Sequence, residues 1–140
     1  MKKLIILFLI SISFFFNLVQ AKKEKPILII TSKKPELSKS VLGDVKSEFY
    51  LKRNSKIYFI VYTKEGFKSD YIKYQIVQQN NNAHVGGFTR VRNITARVKN
   101  KNYFQDYFQI SMPGKYYLQV FDIENLQQWI TMGEFRVIND

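Results

Sequence analysis

The 140-residue sequence predicts an all-β protein: a single antiparallel β-sandwich of about seven to nine strands, following a signal peptide removed on export. Three observations carry this. Segment after segment alternates apolar and polar residues with the period of two that a sheet with one buried face imposes. Turn-forming residues separate these segments at the short spacing of an all-β domain. Beyond the leader no convincing amphipathic helix occurs, and no internal repeat suggests a solenoid.

The chain opens with Met-Lys-Lys, continues as an apolar run from Leu4 to Val19, and reaches Val19, Gln20 and Ala21 before the charged segment Lys22 to Lys25. A positive start, an apolar middle and a small residue at the cut are the parts of a secretory signal peptide. Cleavage after Ala21 divides the chain into a leader, 1–21, and one β-sandwich domain, 22–140, with a periplasmic or secreted destination. An uncleaved membrane anchor is the alternative, since the run approaches spanning length. The sequence has no cysteine, which leaves neither a lipid-anchoring thiol nor a disulfide framework. The core must therefore hold the domain, and 12 Phe, 9 Tyr and 1 Trp supply it, less the Phe8, Phe14, Phe15 and Phe16 of the leader.

Lys and Arg number 22 against 11 acids, a formal net charge of +11. Removing Lys2 and Lys3 with the leader leaves about +9 by side-chain counting. Such a balance draws anionic partners in general: nucleic acid, lipid headgroups, acidic glycans or an acidic protein. It does not choose among them, and a compositional bias toward Lys, Asn, Ile, Phe and Tyr would produce it equally well.

In chain order, Lys22 to Lys25 is a solvated tail and Ile27 to Thr31 a first strand, at an edge because Pro26 precedes it. The segment 32–44, with Pro35 and Gly43, is a long connection containing a helical turn around Pro35 to Lys39. Val45 to Leu51 is a strand, and Lys52 to Ser55 turns into Lys56 to Thr63. That strand is apolar on both faces, Ile57, Phe59 and Val61 against Tyr58, Ile60 and Tyr62, so it belongs in the middle of a sheet. Lys64 to Gly66 is a turn in which Gly66 can take positive φ. Asp70 to Gln79 sets Ile72, Tyr74 and Ile76 on one side, and Asn80 to Asn82 turn the chain.

His84 to Lys99 forms one long strand broken at Arg92 and Asn93, or two short ones, with a bulge suggested at Gly86 and Gly87. Ile94, Ala96 and Val98 face in; Thr95, Arg97 and Lys99 face out. Another strand lies within Tyr103 to Met112, centred on Tyr107 to Ser111. Pro113 and Gly114 lead into a C-terminal hairpin: a strand Gly114 to Asp122, a loop 123–128 and a strand Trp129 to Val137.

Pro113, Gly114, Lys115, Tyr116, Tyr117 and Leu118 resemble the Gly-x-Tyr-x-Cys step into strand F of immunoglobulin-like sandwiches, with Leu118 where many of those domains carry cysteine. The resemblance implies that the Tyr116 hydroxyl bonds the backbone a few residues upstream. It covers about the last quarter of the chain. Two departures stand beside it: there is no cysteine pair, and Trp129 falls in the last strand instead of strand C. A small barrel is the alternative architecture. Neither fold specifies a function.

Catalytic constellations are absent from the sequence. His84 is the single histidine and has no recognisable catalytic partner. Asp122, Glu124 and Asn125 could offer oxygens to a cation, but the spacing of a calcium loop is missing. Phosphate-binding, nucleophile-elbow, zinc and redox motifs do not occur. Asn93, Ile94 and Thr95 fit a glycosylation acceptor, which the bacterial flavour of leader and composition turns into an expected β-bulge. The expectation is a protein that is not an enzyme, with no catalytic residue, metal or cofactor.

Two constellations suit binding. Arg90, Arg92, Arg97, Lys99 and Lys101 are anion-binding candidates, on neighbouring outward positions by parity, or simply a solvated face protected against edge pairing. Nucleic acid is not expected, because the aromatic spacing of an RNA-reading sheet is missing. Tyr58, Tyr62, Tyr117 and Phe121 have the parity opposite to the core residues of their strands and are interface candidates. The leading expectation is an exported binding or assembly module recognising another envelope or extracellular protein through a sheet face or edge. A basic adaptor for anionic polymers or lipid headgroups is the alternative.

Overall fold

A strand that is apolar at alternate positions can bury that side only against a second layer, and two sheets do this in the computed structural model, which describes residues 24–36, 47–51, 55–80 and 87–139. The eight strands among them are β1 (Ile27–Thr31), β2 (Glu48–Leu51), β3 (Ile57–Tyr62), β4 (Tyr71–Gln79), β5 (Phe88–Arg97), β6 (Tyr103–Phe108), β7 (Gly114–Asp122) and β8 (Asn125–Asn139). One sheet has the order β1-β3-β6 and the other β2-β8-β7-β4-β5. The described residues contain no helix. Because the two sheets are not joined into one ladder, the barrel alternative does not hold. The expected leader, most of the expected helical turn at Pro35 to Lys39, and His84 lie outside the described residues.

Aromatic side chains from both sheets fill the space between them. Phe59 of β3 meets Tyr74 of β4 with ring centroids 5.0 Å apart, and Phe108 of β6 meets Phe135 of β8 at 5.4 Å. Tyr116 stacks on Phe135 at 5.5 Å and 15°, and Phe49 of β2 meets the same ring edge-on. Ile30, Ile57, Val61, Ile72, Ile76, Val98, Leu118, Val120 and Val137 complete this core. Each such side chain contributes on the order of 1.5–3 kcal/mol by leaving water. At the β1 side the sheets approach closely: a Cβ on Gly133 of β8 would stand 2.9 Å from Ile30 Cδ1 and 3.0 Å from Leu28 Cδ2. Glycine is there for want of space.

Several expectations change. The sandwich is not wholly antiparallel, because β2 runs parallel to β8, Glu48 beside Arg136 and Phe49 beside Val137. The strand expected within Tyr103 to Met112 is present, but it occupies Tyr103–Phe108 and not Tyr107 to Ser111. Pairing with β3 decides that register, since it sets Phe104 beside Val61 and Phe108 beside Ile57 on the inner side. The long hairpin loop shrinks to a turn at Ile123 and Glu124, closed by the Asp122 carboxylate accepting from the Glu124 N–H. Residues 125–128 extend β8. Finally, β5 is one strand with its irregularity at Val91, where Arg92 opposes Ile76 and Arg90 opposes Val77.

Candidate functional site

The outer face of the three-stranded sheet is built from alternate residues of three short strands. Ladder register aligns them in rows: Ile27, Tyr62 and Tyr103; Ile29, Ile60 and Gln105; Thr31, Tyr58 and Tyr107. None of the nine carries a charge. Strand β3 is apolar on both sides, and only one side meets the core. Ile27 is 53 % exposed, Tyr62 38 % and Tyr107 41 %, while Ile60 between them is 4 % exposed. Tyr58 and Tyr107 pair at 5.8 Å, and the Lys56 ammonium lies 4.3 Å above the Tyr107 ring.

The outer face of the five-stranded sheet is knitted together differently. Tyr117 of β7 reaches across β4 to meet the Phe88 ring edge-on at 5.5 Å, and its hydroxyl donates to Gln79 Oε1 at 3.3 Å. Gln75 donates to Gln119 at 2.7 Å. Lys115 pairs with Glu134 at 3.0 Å, and its ammonium pKa is raised, first by hydrogen bonding to Tyr117 and then by Glu134. Phe121 shares this face opposite Trp129 and is only 7 % exposed. Of the four aromatic candidates, then, Tyr58 and Tyr62 stand on one sheet, Tyr117 and Phe121 on the other. They form no common patch.

The basic candidates are dispersed as well. An unpaired residue in one strand shifts the side on which its neighbours emerge. The extra residue Val91 puts Arg90 on the outer side with Val77 and Arg92 on the inner side with Ile76, although the two share sequence parity. Arg97 closes β5 opposite Tyr71 on the outer face. Lys99 and Lys101 lie past the strand end, in a turn where Asn100 takes φ 60°. Lys99 pairs with Asp70 at 3.0 Å, and the Lys101 carbonyl accepts from the Phe67 N–H. The single cationic face expected from parity is not formed.

Arg92 instead joins a polar group that sequence reading missed. The fully buried Tyr74 donates its hydroxyl to Asp106 Oδ2 across the inter-sheet space. Burial, then the bond and charge of Asp106, push the Tyr74 hydroxyl pKa upward, and Arg92 opposes this. Asp106 follows Gln105 in β6 with the parity of Phe104 and Phe108, so its inward direction was readable once β6 was correctly placed. The Asp122 carboxylate, a possible cation ligand by sequence, accepts from the Ser69 hydroxyl and the Glu124 N–H. No group of three His, Cys, Asp or Glu among the described residues could hold a metal ion.

No protein-family profile matches the chain. No curated protein matches it either. Among solved structures, the solution NMR structure of the CARDB domain of PF1109 from Pyrococcus furiosus is similar, at 16 % identity over 83 % of this chain and 96 % of that one, with a TM-score of 0.39.

Proposed function

We propose that the protein is an exported, non-enzymatic binding or assembly module with an immunoglobulin-like strand arrangement, and that it recognises another envelope or extracellular protein through the outer face of its three-stranded sheet. The strand arrangement is supported by Tyr116, whose hydroxyl donates to the Met112 carbonyl at 2.8 Å just before the central strand β7, the bond of a tyrosine corner. Export rests on the leader, and a periplasmic or secreted location follows from it.

The uncharged, tyrosine-rich rows on β1, β3 and β6 carry the reading of a protein partner. Tyrosine supplies large apolar area with a polar tip and little conformational freedom to lose, which is why it is enriched where proteins meet. The adaptor alternative would need the basic side chains on one surface, and they are spread over both faces of β5 and the turn beyond it. The decisive experiment compares Tyr62→Ser and Tyr117→Ser in cross-linked capture from the native envelope, alongside thermal denaturation. Tyr62→Ser should weaken capture by the 1–2 kcal/mol or so that an interface aromatic contributes, at a small cost in stability. Tyr117→Ser should leave capture intact. Capture that ignores both Tyr62→Ser and Tyr107→Ser would overturn the proposal.

A further inference from the structure

Among the described residues, β5 pairs with β4 on one side and with no strand on the other, and this second side lies apart from the tyrosine face. Backbone groups on a terminal strand point alternately toward its one partner and away from it. The Val98 N–H donates to the Asp70 carbonyl at 2.8 Å, one step beyond the Tyr71–Arg97 pair of the β4–β5 register. Counting back from this hydrogen-bonded pair, Ala96 and Ile94 direct their N–H and C=O to β4, whereas Arg97, Thr95 and Asn93 direct theirs outward. The Tyr71 carbonyl agrees with this phase, because it accepts from Ile123 on the opposite side of β4. Between Asn93 and Arg97 the register is unbroken. Three outward-directed residues at alternate positions thus form a regular template after the Val91 bulge.

The surroundings specify what could add to it. A five-stranded sheet facing a three-stranded one leaves strands uncovered, and β5 lies beyond β4, whose Tyr74 already meets Phe104 and Asp106 of the edge strand β6. On its inner side β5 presents Ile94 and Ala96, only partly buried against the core. On its outer side Arg97 and Arg90 emerge, with Lys73 opposite Thr95 on β4. Strand β5 contains three arginines and no acid. A second copy laid edge to edge would bring like charges together, which is a recognised device against self-pairing. The same charges favour an occupant of opposite sign.

We propose that the β5 edge, at Asn93, Thr95 and Arg97, accepts an extended acidic segment of a partner protein as an added strand, with apolar residues continuing the inner layer beside Ile94 and Ala96 and carboxylates on the outer side near Arg97 and Lys73. Main-chain bonds supply the docking and the alternating side chains the selectivity. The probe is a blocked synthetic peptide of alternating Glu and Val, titrated into the full mature chain at low salt with amide hydrogen exchange as a second readout. Binding should slow exchange at Asn93, Thr95 and Arg97. A peptide N-methylated at alternate amides and a Lys/Val peptide should each bind at least about tenfold more weakly, as loss of the edge bonds or reversal of charge requires. Thr95→Pro removes an outward N–H without touching the β4 ladder and should abolish protection, with circular dichroism confirming the fold. Arg97→Glu, which leaves the backbone alone, should weaken the Glu/Val peptide about tenfold and remains informative if the proline variant fails to fold. Absence of Glu/Val binding, equal binding of the N-methylated or Lys/Val peptide, or protection elsewhere would overturn the proposal. So would self-association abolished by Thr95→Pro, which would make a second copy the occupant.

Discussion

Replacing Tyr116 by Phe deletes one oxygen and nothing else. The ring is 1 % exposed and stacked on Phe135, so packing survives the change and the loss isolates the 2.8 Å bond to the Met112 carbonyl. A buried neutral hydrogen bond contributes about 1 kcal/mol net, and stranding a fully buried partner would raise the cost toward 3 kcal/mol. Met112 has an exposed side chain and adjoins Pro113 at the surface, so water can reach its carbonyl and the lower figure applies. For a domain of this size, about 1 kcal/mol corresponds to roughly 3–6 °C in melting temperature. Urea denaturation of the Phe variant should therefore shift the midpoint with the slope unchanged, since the surface exposed on unfolding is the same. Tyr117→Phe, whose hydroxyl makes a 3.3 Å bond on the outer face, serves as the control and should change stability by a few tenths of a kcal/mol. Equal midpoints for Tyr116→Phe and the parent protein would refute the corner as a contributor to stability.

Gly133→Val should cost about 1–3 kcal/mol, because the new side chain meets Leu28 and Ile30 of the facing sheet; thermal denaturation measures it, and Gly133→Ala should fall between the parent protein and the Val variant. Tyr74 has a folded-state pKa raised above that of an unfolded tyrosine, by burial and by Asp106, so its contribution is complete below about pH 10 and is lost as pH rises beyond that. Stability followed by fluorescence should decline above about pH 10, less steeply in Tyr74→Phe. Replacing Arg97, Lys99 and Lys101 together by Ser should reduce retention on an acidic column gradually and in proportion to charge, whereas complete loss of retention would show that the three form one site despite their separation.

The alternation of apolar residues was enough to assign the two sides of nearly every strand. Phe59 against Tyr58, or Leu118 against Tyr117, needs only the pleat and a requirement to bury one side. The Tyr116 corner was legible for a related reason: a turn, a tyrosine and a following strand lie within a few residues of one another, so the bond is local. The position of β6 was not legible, because Tyr103 to Met112 contains apolar residues throughout and only pairing with β3 chooses which of them become strand.

The candidate sites show the same division. Parity along one strand put Arg90 and Arg92 together, and a single extra residue at Val91, selected by pairing with β4, turned them to opposite sides. Tyr58, Tyr62, Tyr117 and Phe121 were each assigned an outer side from their own strands. Sequence alone determined that these side chains leave the core. Only the tertiary structure decided that two belong to each sheet, that Phe121 is covered, that Tyr103 and Tyr107 complete the rows of uncharged side chains beside Tyr62 and Tyr58, and that β5 ends its sheet among the described residues. Side alternation is a property of one strand's backbone, whereas neighbourhood depends on contacts between residues far apart in the chain, which no local pattern encodes.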